Sequence, residues 1–327
     1  MATGKAIYDI KKADGAQGLG KYPPDRQFRN NIEARIFMSE IELAVIGGSG
    51  LYNMAGLSNI ESIHIDTPFG SPSDEITIGS LHGRRVAFLP RHGRGHVLTP
   101  SEVPYRANIY ALKTLGVKYV ISVSACGSLR EDFAPGDIVI PDQLFDFTKG
   151  IRQTSFFGRG IVGHLAAAHP FSMEMNAALA GAVETAGGRI HRGGTLITIE
   201  GPRFSTKGES EIYRQWGMSI IGMTTSPEAF LAAEAEMAYA CMAHVTDYDC
   251  WHESEAHVTV EMVIRTLQAN TTTAQTSISQ LVSSFDAWSG DFAAHSSLKD
   301  ALITDRGSLS ATTLDQLRPI LGRYIDR

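Results

Sequence analysis

Short apolar runs alternate along this chain with segments whose apolar residues recur at helical spacing. Ile41–Ile46, Tyr119–Val123, Ile138–Ile140, Thr195–Ile199, Ser219–Gly222 and Met237–Val245 are short, mostly apolar runs that predict strands, the last of them apolar nearly throughout. That pattern is expected of strands buried on both faces. The runs around Ile76–Ile78 and Val86–Leu89 predict a hairpin or meander. Between the runs lie predicted helices. One spans Ser101–Leu115 and ends at Gly116, and a second spans Met173–Ala186 and stops at Gly187-Gly188. A third opens at Thr206, with Glu209 at capping-box spacing, and runs to Trp216. Ser226-Pro227 starts a fourth. Val258 to about Val282 reads as a long helix, and Thr312–Tyr324 as a final one. Strand and helix alternate without a linker, so residues 39–283 are expected to form one α/β domain. Its fold class is a mixed, mostly parallel central sheet flanked by helices. Residues 1–38 read as a polar extension, expected to be mobile, and 284–327 as a C-terminal tail with one helix.

Polar chemistry begins where several of these strands end. Open α/β sheets place ligands at the carboxyl ends of their strands. Gly47-Gly48-Ser49-Gly50 follows the first strand. It is neither a dinucleotide fingerprint nor a P-loop, but its backbone N–H groups can form a nest for an oxyanion. Arg91-His92-Gly93-Arg94-Gly95-His96 follows the hairpin. A guanidinium fork matches phosphate oxygens there. The glycines between His92 and His96 argue against a helix that would align them on a metal, so no metal site is expected. Ser124 and Thr224 add hydroxyls after two further strands. Asp247 and Asp249 follow the run Met237–Val245, two residues apart. In an extended chain both carboxylates would face one point. Paired acids in a dry cleft raise one pKa, giving an acid able to donate a proton near neutral pH.

Composition narrows the function. The chain has 327 residues and a net charge of -6. Neither nucleic acid nor an anionic membrane is expected as a partner. The three cysteines form no C-x-x-C pair, which fits a reducing cytosol and a cytoplasmic location. An anion pocket beside a proton-donating acid, with Phe204, Ser205 and Met223 able to hold a flat base and a sugar, suits phosphorolysis of an N-glycoside. Phosphate would attack C1′ as the acid protonates the departing base. No cofactor is needed, since phosphate is a co-substrate.

In these residues the chain resembles the 5′-methylthioadenosine phosphorylases, within the trimeric purine nucleoside phosphorylase family. The resemblance spans roughly residues 41–270. It rests on Gly47-Gly48-Ser49-Gly50, Asp66-Thr67-Pro68-Phe69-Gly70, Arg91-His92-Gly93-Arg94, Ala125-Cys126-Gly127-Ser128-Leu129-Arg130-Glu131, Thr198-Ile199-Glu200-Gly201-Pro202-Arg203-Phe204-Ser205, Met223-Thr224-Thr225 and Thr246-Asp247-Tyr248-Asp249-Cys250-Trp251. It implies phosphate binding by Ser49, Arg91, His92, Ser124, Ala125 and Thr224. It implies base and ribose contacts from Phe204, Ser205, Met223, Asp247 and Asp249, with Asp247 as the proton donor. Val260 and Ile264 would line an apolar 5′ pocket, and His164 would reach a neighbouring subunit's site in a homotrimer. Ser49 and Ser124 stand where that branch usually has Thr, and His257 departs from its pattern near the 5′ pocket. The alternative is a phosphorylase of broader or 6-oxopurine nucleoside specificity.

Overall fold

The computed structural model describes residues 41–158, 160–252 and 260–325. The expectation for residues 1–38, and the position of His257, lie outside them. The organising strand is β5 (Tyr119–Ser128), which is longer than its apolar run because pairing continues through Ser124-Ala125-Cys126-Gly127. One edge of β5 pairs in parallel with β11 (Ala238–Asp247) from Tyr119 to Gly127. The other edge is divided. Its first part, Tyr119–Ser122, pairs in parallel with β1 (Leu43–Gly47). Its last part, Gly127 and Ser128, pairs antiparallel with β10 (Ile220–Gly222).

The remaining strands extend from these. Beyond β1 come β4 (Arg84–Pro90), β3 (Ile76–Leu81) and β2 (Ser58–Ile63), in that order. The β3–β4 hairpin turns at His82 and Gly83, both at positive φ. Beyond β10 lie β9 (Thr195–Ile199) and β7 (Gln143–Phe147), all mutually parallel. On the far side, β11 pairs antiparallel with β6 (Ile138–Ile140), which pairs in parallel with β8 (Ile190–Arg192). The sheet is therefore mixed and mostly parallel, as expected. The strands β2, β7 and β8 carry exposed or half-buried residues. They lack the apolar signal that marks the others.

Two apolar layers cover the sheet. Tyr239, Cys241, Ala243 and Val245 of β11 pack with α1 (Tyr105–Thr114), α4 (Thr225–Glu234) and α7 (Ala311–Ile325). Ala238, Ala240 and Met242 face the other way, onto α2 (Met173–Thr185) and α5 (Val260–Ser283). The period of two along β11 thus divides its side chains between the layers. The predicted capping box is present at α3 (Lys207–Gln215), where Thr206 and Glu209 exchange bonds. Residues 284–327 are more than a tail with one helix. Besides α7 they include α6 (Phe285–Trp288), and they bury Phe285, Phe292, Leu298 and Leu321 in the two layers.

Candidate active site

Along the divided edge of β5, β1 stops opposite Ser122 and β10 begins opposite Gly127. Among the described residues no strand pairs with Val123–Cys126 on this side. The Val123 carbonyl points into the opening, where Arg91 Nη1 donates to it at 3.0 Å. Alternate residues of a strand present their N–H and C=O to the same edge. The backbone N–H of Ala125 therefore opens into the same gap. The Ala125 oxygen lies 3.9 Å from the place a Cβ on Gly222 would take, at the tip of β10. Ser124 stands half-buried beside it, and its hydroxyl donates only a long bond, 3.3 Å, to Ala125 O. Thr224 caps α4 just past β10 and is buried. A helix N-terminus, free amides and hydroxyls around a gap suit an oxyanion.

The glycine turn after β1 forms a short 3-10 helix, Ser49–Tyr52, at the same end. It is held by Gln275 of α5, whose Nε2 donates to Gly50 O at 2.9 Å. The side chain of Ser49 is outside the described residues. Gly47 is needed for close approach, because a Cβ there would stand 3.2 Å from Val123 Cβ and closer still to Leu51.

Arg91, expected to present its guanidinium fork to phosphate, is buried. Its side chain is 3% exposed and forms a fork with Glu228 of α4, with Nε to Oε2 at 2.7 Å and Nη2 to Oε1 at 2.9 Å. Nη2 also reaches Ser122 Oγ at 2.7 Å. Burial alone would lower the guanidinium's pKa, but Glu228 outweighs it and holds the group charged. Of a guanidinium's five N–H groups, one on Nη1 stays outside these contacts. The fork expected for phosphate is thus engaged inside the protein, and Tyr239 completes the cluster by donating to Glu228 at 2.8 Å. Glu228 and Tyr239 escaped the sequence reading. A carboxylate in the first turn of an Ala-rich apolar helix was the available signal.

His92 donates from Nδ1 to Leu98 O at 2.9 Å and stacks on His96 at 4.3 Å. Burial, and secondarily the Arg91 charge, push its pKa down to about 4. The ring is therefore neutral at neutral pH, with Nε2 left as an acceptor.

The two aspartates do meet, though not by strand alternation. A bulge between Val245 and Asp247 shifts the register, so that Asp247 sits opposite Gly127, where β11 ends. Asp249 lies in the turn beyond, at φ 51°. Asp247 is 6% exposed. Its Oδ1 accepts from Asp249 N at 2.8 Å, and its Oδ2 from the Thr246 hydroxyl at 2.7 Å. Burial raises the Asp247 pKa to about 6 against those two bonds, and the Asp249 charge adds to the rise. Burial also raises the pKa of Asp249, opposed by the hydroxyls of Ser210 and Ser205. Both acids crowd Gly127. A Cβ there would lie 3.0 Å from Asp247 Oδ1 and 3.3 Å from Asp249 Cβ.

The remaining candidates fall in two groups. Ser205 O accepts from Cys250 Sγ at 3.2 Å, which ties the β9–α3 loop to the aspartate turn. Met223 lies against Gly201 of that loop, and Phe204 is 37% exposed at its tip. Val260 and Ile264, one turn apart on α5, are 62% and 48% exposed. His164 is exposed on the loop after β7. Among the described residues no three His, Cys, Asp or Glu side chains cluster as metal ligands. Among them, no helix is long and apolar enough to cross a membrane.

Comparison with known proteins gives a concordant result. The chain is 54% identical to an S-methyl-5′-thioadenosine phosphorylase of Chloroflexus aurantiacus over 287 residues, 88% of this chain and 99% of that one. It is 50% identical to that of Geobacter sulfurreducens, over 86% of this chain and 99% of that one. A crystal structure of a methylthioadenosine phosphorylase from an Antarctic soil metagenomic library superimposes with a TM-score of 0.83. It is 50% identical and covers 86% of this chain and 99% of that one. The pattern of the Phosphorylase superfamily matches residues 42–285, and to that family the chain belongs.

Proposed function

We propose that the chain catalyses phosphorolysis of 5′-methylthioadenosine to adenine and 5-methylthioribose 1-phosphate, with Asp247 as proton donor to purine N7. The observation that carries this reading is Asp247 itself, a buried carboxyl raised to about 6 against Gly127, the residue of β5 at which the open stretch of its other edge ends. Phosphate held at Ala125 N–H, Ser124, Thr224 and the Ser49 turn attacks C1′. The C1′–N9 bond breaks, its electron pair passes into the purine, and N7 takes the proton of Asp247. His92, neutral and with Nε2 as acceptor, suits a phosphate P–OH. Arg91 adds positive charge from beneath the pocket. Phe204, Ser205, Met223 and Asp249 hold base and ribose. Acid and anion site supply the chemistry, so neither metal nor organic cofactor is called for.

A homotrimer extends the proposal. The exposure of Val260 and Ile264, together with exposed His164 on a long loop, supports a site completed by a neighbouring copy. The unpaired cysteines are consistent with a cytoplasmic setting. The test of the activity is adenine release from 5′-methylthioadenosine with and without inorganic phosphate. Release that requires phosphate supports phosphorolysis. Equal release without it would mean hydrolysis.

A further inference from the structure

One buried cation has no part in the chemistry just described. Arg152 lies in the irregular segment after β7, yet its side chain is 1% exposed. Nε donates to Glu200 Oε1 at 2.8 Å, and Nη2 to Glu200 O at 2.7 Å. Nη1 donates to Met223 O at 2.6 Å and Ser226 O at 2.9 Å. Tyr105 OH stands 3.3 Å from the same nitrogen and accepts from it. Glu200 is held in turn by Lys149 N at 2.6 Å and by the hydroxyl of Ser101. Burial alone would raise the Glu200 pKa, but these donors together bring it below the usual carboxylate value, so it stays ionised.

The acceptors belong to two different parts of the site. Glu200 opens the loop that carries Phe204 and Ser205. Met223 O and Ser226 O flank Thr224, which stands at the N-cap position of α4. On the reading above, the first part carries nucleoside contacts, and the second, which Met223 opens, carries the phosphate hydroxyl of Thr224. We propose that Arg152 is a positioning residue that couples these two half-sites, setting the nucleoside loop against the phosphate turn through one planar guanidinium. The proposal rests on the phosphorolysis reading above. A fork of fixed donors is required, because an ammonium on a flexible stem cannot direct bonds to acceptors on both segments at once.

The experiment is a two-substrate kinetic comparison of wild type, Arg152→Lys and Glu200→Gln, with active-site titration of each. Arg152→Lys should raise KM for both 5′-methylthioadenosine and phosphate, each about tenfold, a size typical of coupling between contacting groups. Glu200→Gln keeps an acceptor for the guanidinium and leaves the bonds to Met223 and Ser226. It should raise the nucleoside KM and leave the phosphate KM within about twofold. If Arg152→Lys does not fold, Glu200→Gln carries the comparison alone. The proposal is overturned if Arg152→Lys lowers only the fraction of active protein and leaves both KM values unchanged. It is also overturned if Glu200→Gln moves both KM values or neither. A wild type that does not use phosphate would remove the functional reading, and the proposal with it.

Discussion

Asp249 donates its backbone N–H to Asp247 Oδ1 at 2.8 Å, so one acid of the site is held in place by the main chain of the other. The same bond favours the ionised form of Asp247, yet burial outweighs it. The acid is therefore raised well above the usual carboxylate range, toward the pH at which a proton donor works.

Base selectivity should follow from this pair. Adenine offers an N6 amino donor beside N7. In the proposed mechanism a protonated Asp247 would donate to N7 and Asp249 would accept from N6, directly or through water. A 6-oxopurine presents two acceptors there, and opposed lone pairs in a buried site cost on the order of 1–3 kcal/mol. Asp247→Asn should lose most turnover of 5′-methylthioadenosine and gain relative activity on inosine. An Asn variant with full adenine-nucleoside turnover would show that Asp247 does not supply the proton.

The pH dependence has a definite sign. If the acid form is required, kcat/KM should hold below about pH 6 and fall tenfold per unit above it. Stability should move the opposite way in the variant. A folded-state pKa raised from 3.8 to about 6 means that stability is lost as pH rises between those values, and stays lost above. The cost is on the order of 2–3 kcal/mol. Asp247→Asn should therefore melt at a higher temperature than wild type above pH 6, with the gap closing toward pH 4. Thermal scans across pH would refute this if the variant melts lower throughout.

Gly127→Ala tests the position of the acids without altering either. The added methyl would stand 3.0 Å from Asp247 Oδ1 and 3.0 Å from Ile221 Cγ2. Displacing a catalytic group by a fraction of an ångström to an ångström can cost roughly a hundredfold in rate. We expect kcat to fall by that order, with phosphate KM little changed. Unchanged kcat would place the acid away from the reacting base.

Arg91 calls for a gentler substitution than alanine. Arg91→Ala strands Glu228 in the core, and breaking a buried pair costs roughly 3–5 kcal/mol. Loss of activity in that variant would follow from loss of fold. Arg91→Lys retains the charge but not the fork, and should raise phosphate KM more than nucleoside KM. Binding of free adenine, measured by calorimetry, should barely change. Equal losses for phosphate and adenine would count against a phosphate role for Arg91.

Much of this site was legible because its residues sit at strand ends, where an apolar run gives way to a hydroxyl, a guanidinium or a carboxylate. Asp247, Thr224 and Ala125 became candidates that way or by motif. What pattern could not supply was the way each group is held. Alternation put Asp249 beside Asp247 in an extended chain, whereas a bulge and a left-handed turn bring it there. Arg91 read as a phosphate ligand, and its engagement inside the protein stayed hidden because its pairing partner, Glu228, lies 137 positions away. Arg152 was hidden in a stretch with no periodicity at all. The edge strands β2, β7 and β8 were missed for a related reason, since half-exposed strands carry no continuous apolar run.

The chain beyond residue 300 bears on the site from a distance. His164 N donates to Ala301 O at 2.8 Å, Ile303 N to Val162 O at 3.0 Å, and Val162 N to the Thr304 hydroxyl at 2.7 Å. The long loop after β7 is thus stitched along part of its length to a segment that lies past the family match. A loop of that length carries considerable freedom, and these bonds act as a splint that removes part of it in advance. Shortening or refashioning the C-terminus would therefore change where His164 can reach before it changed the sheet itself.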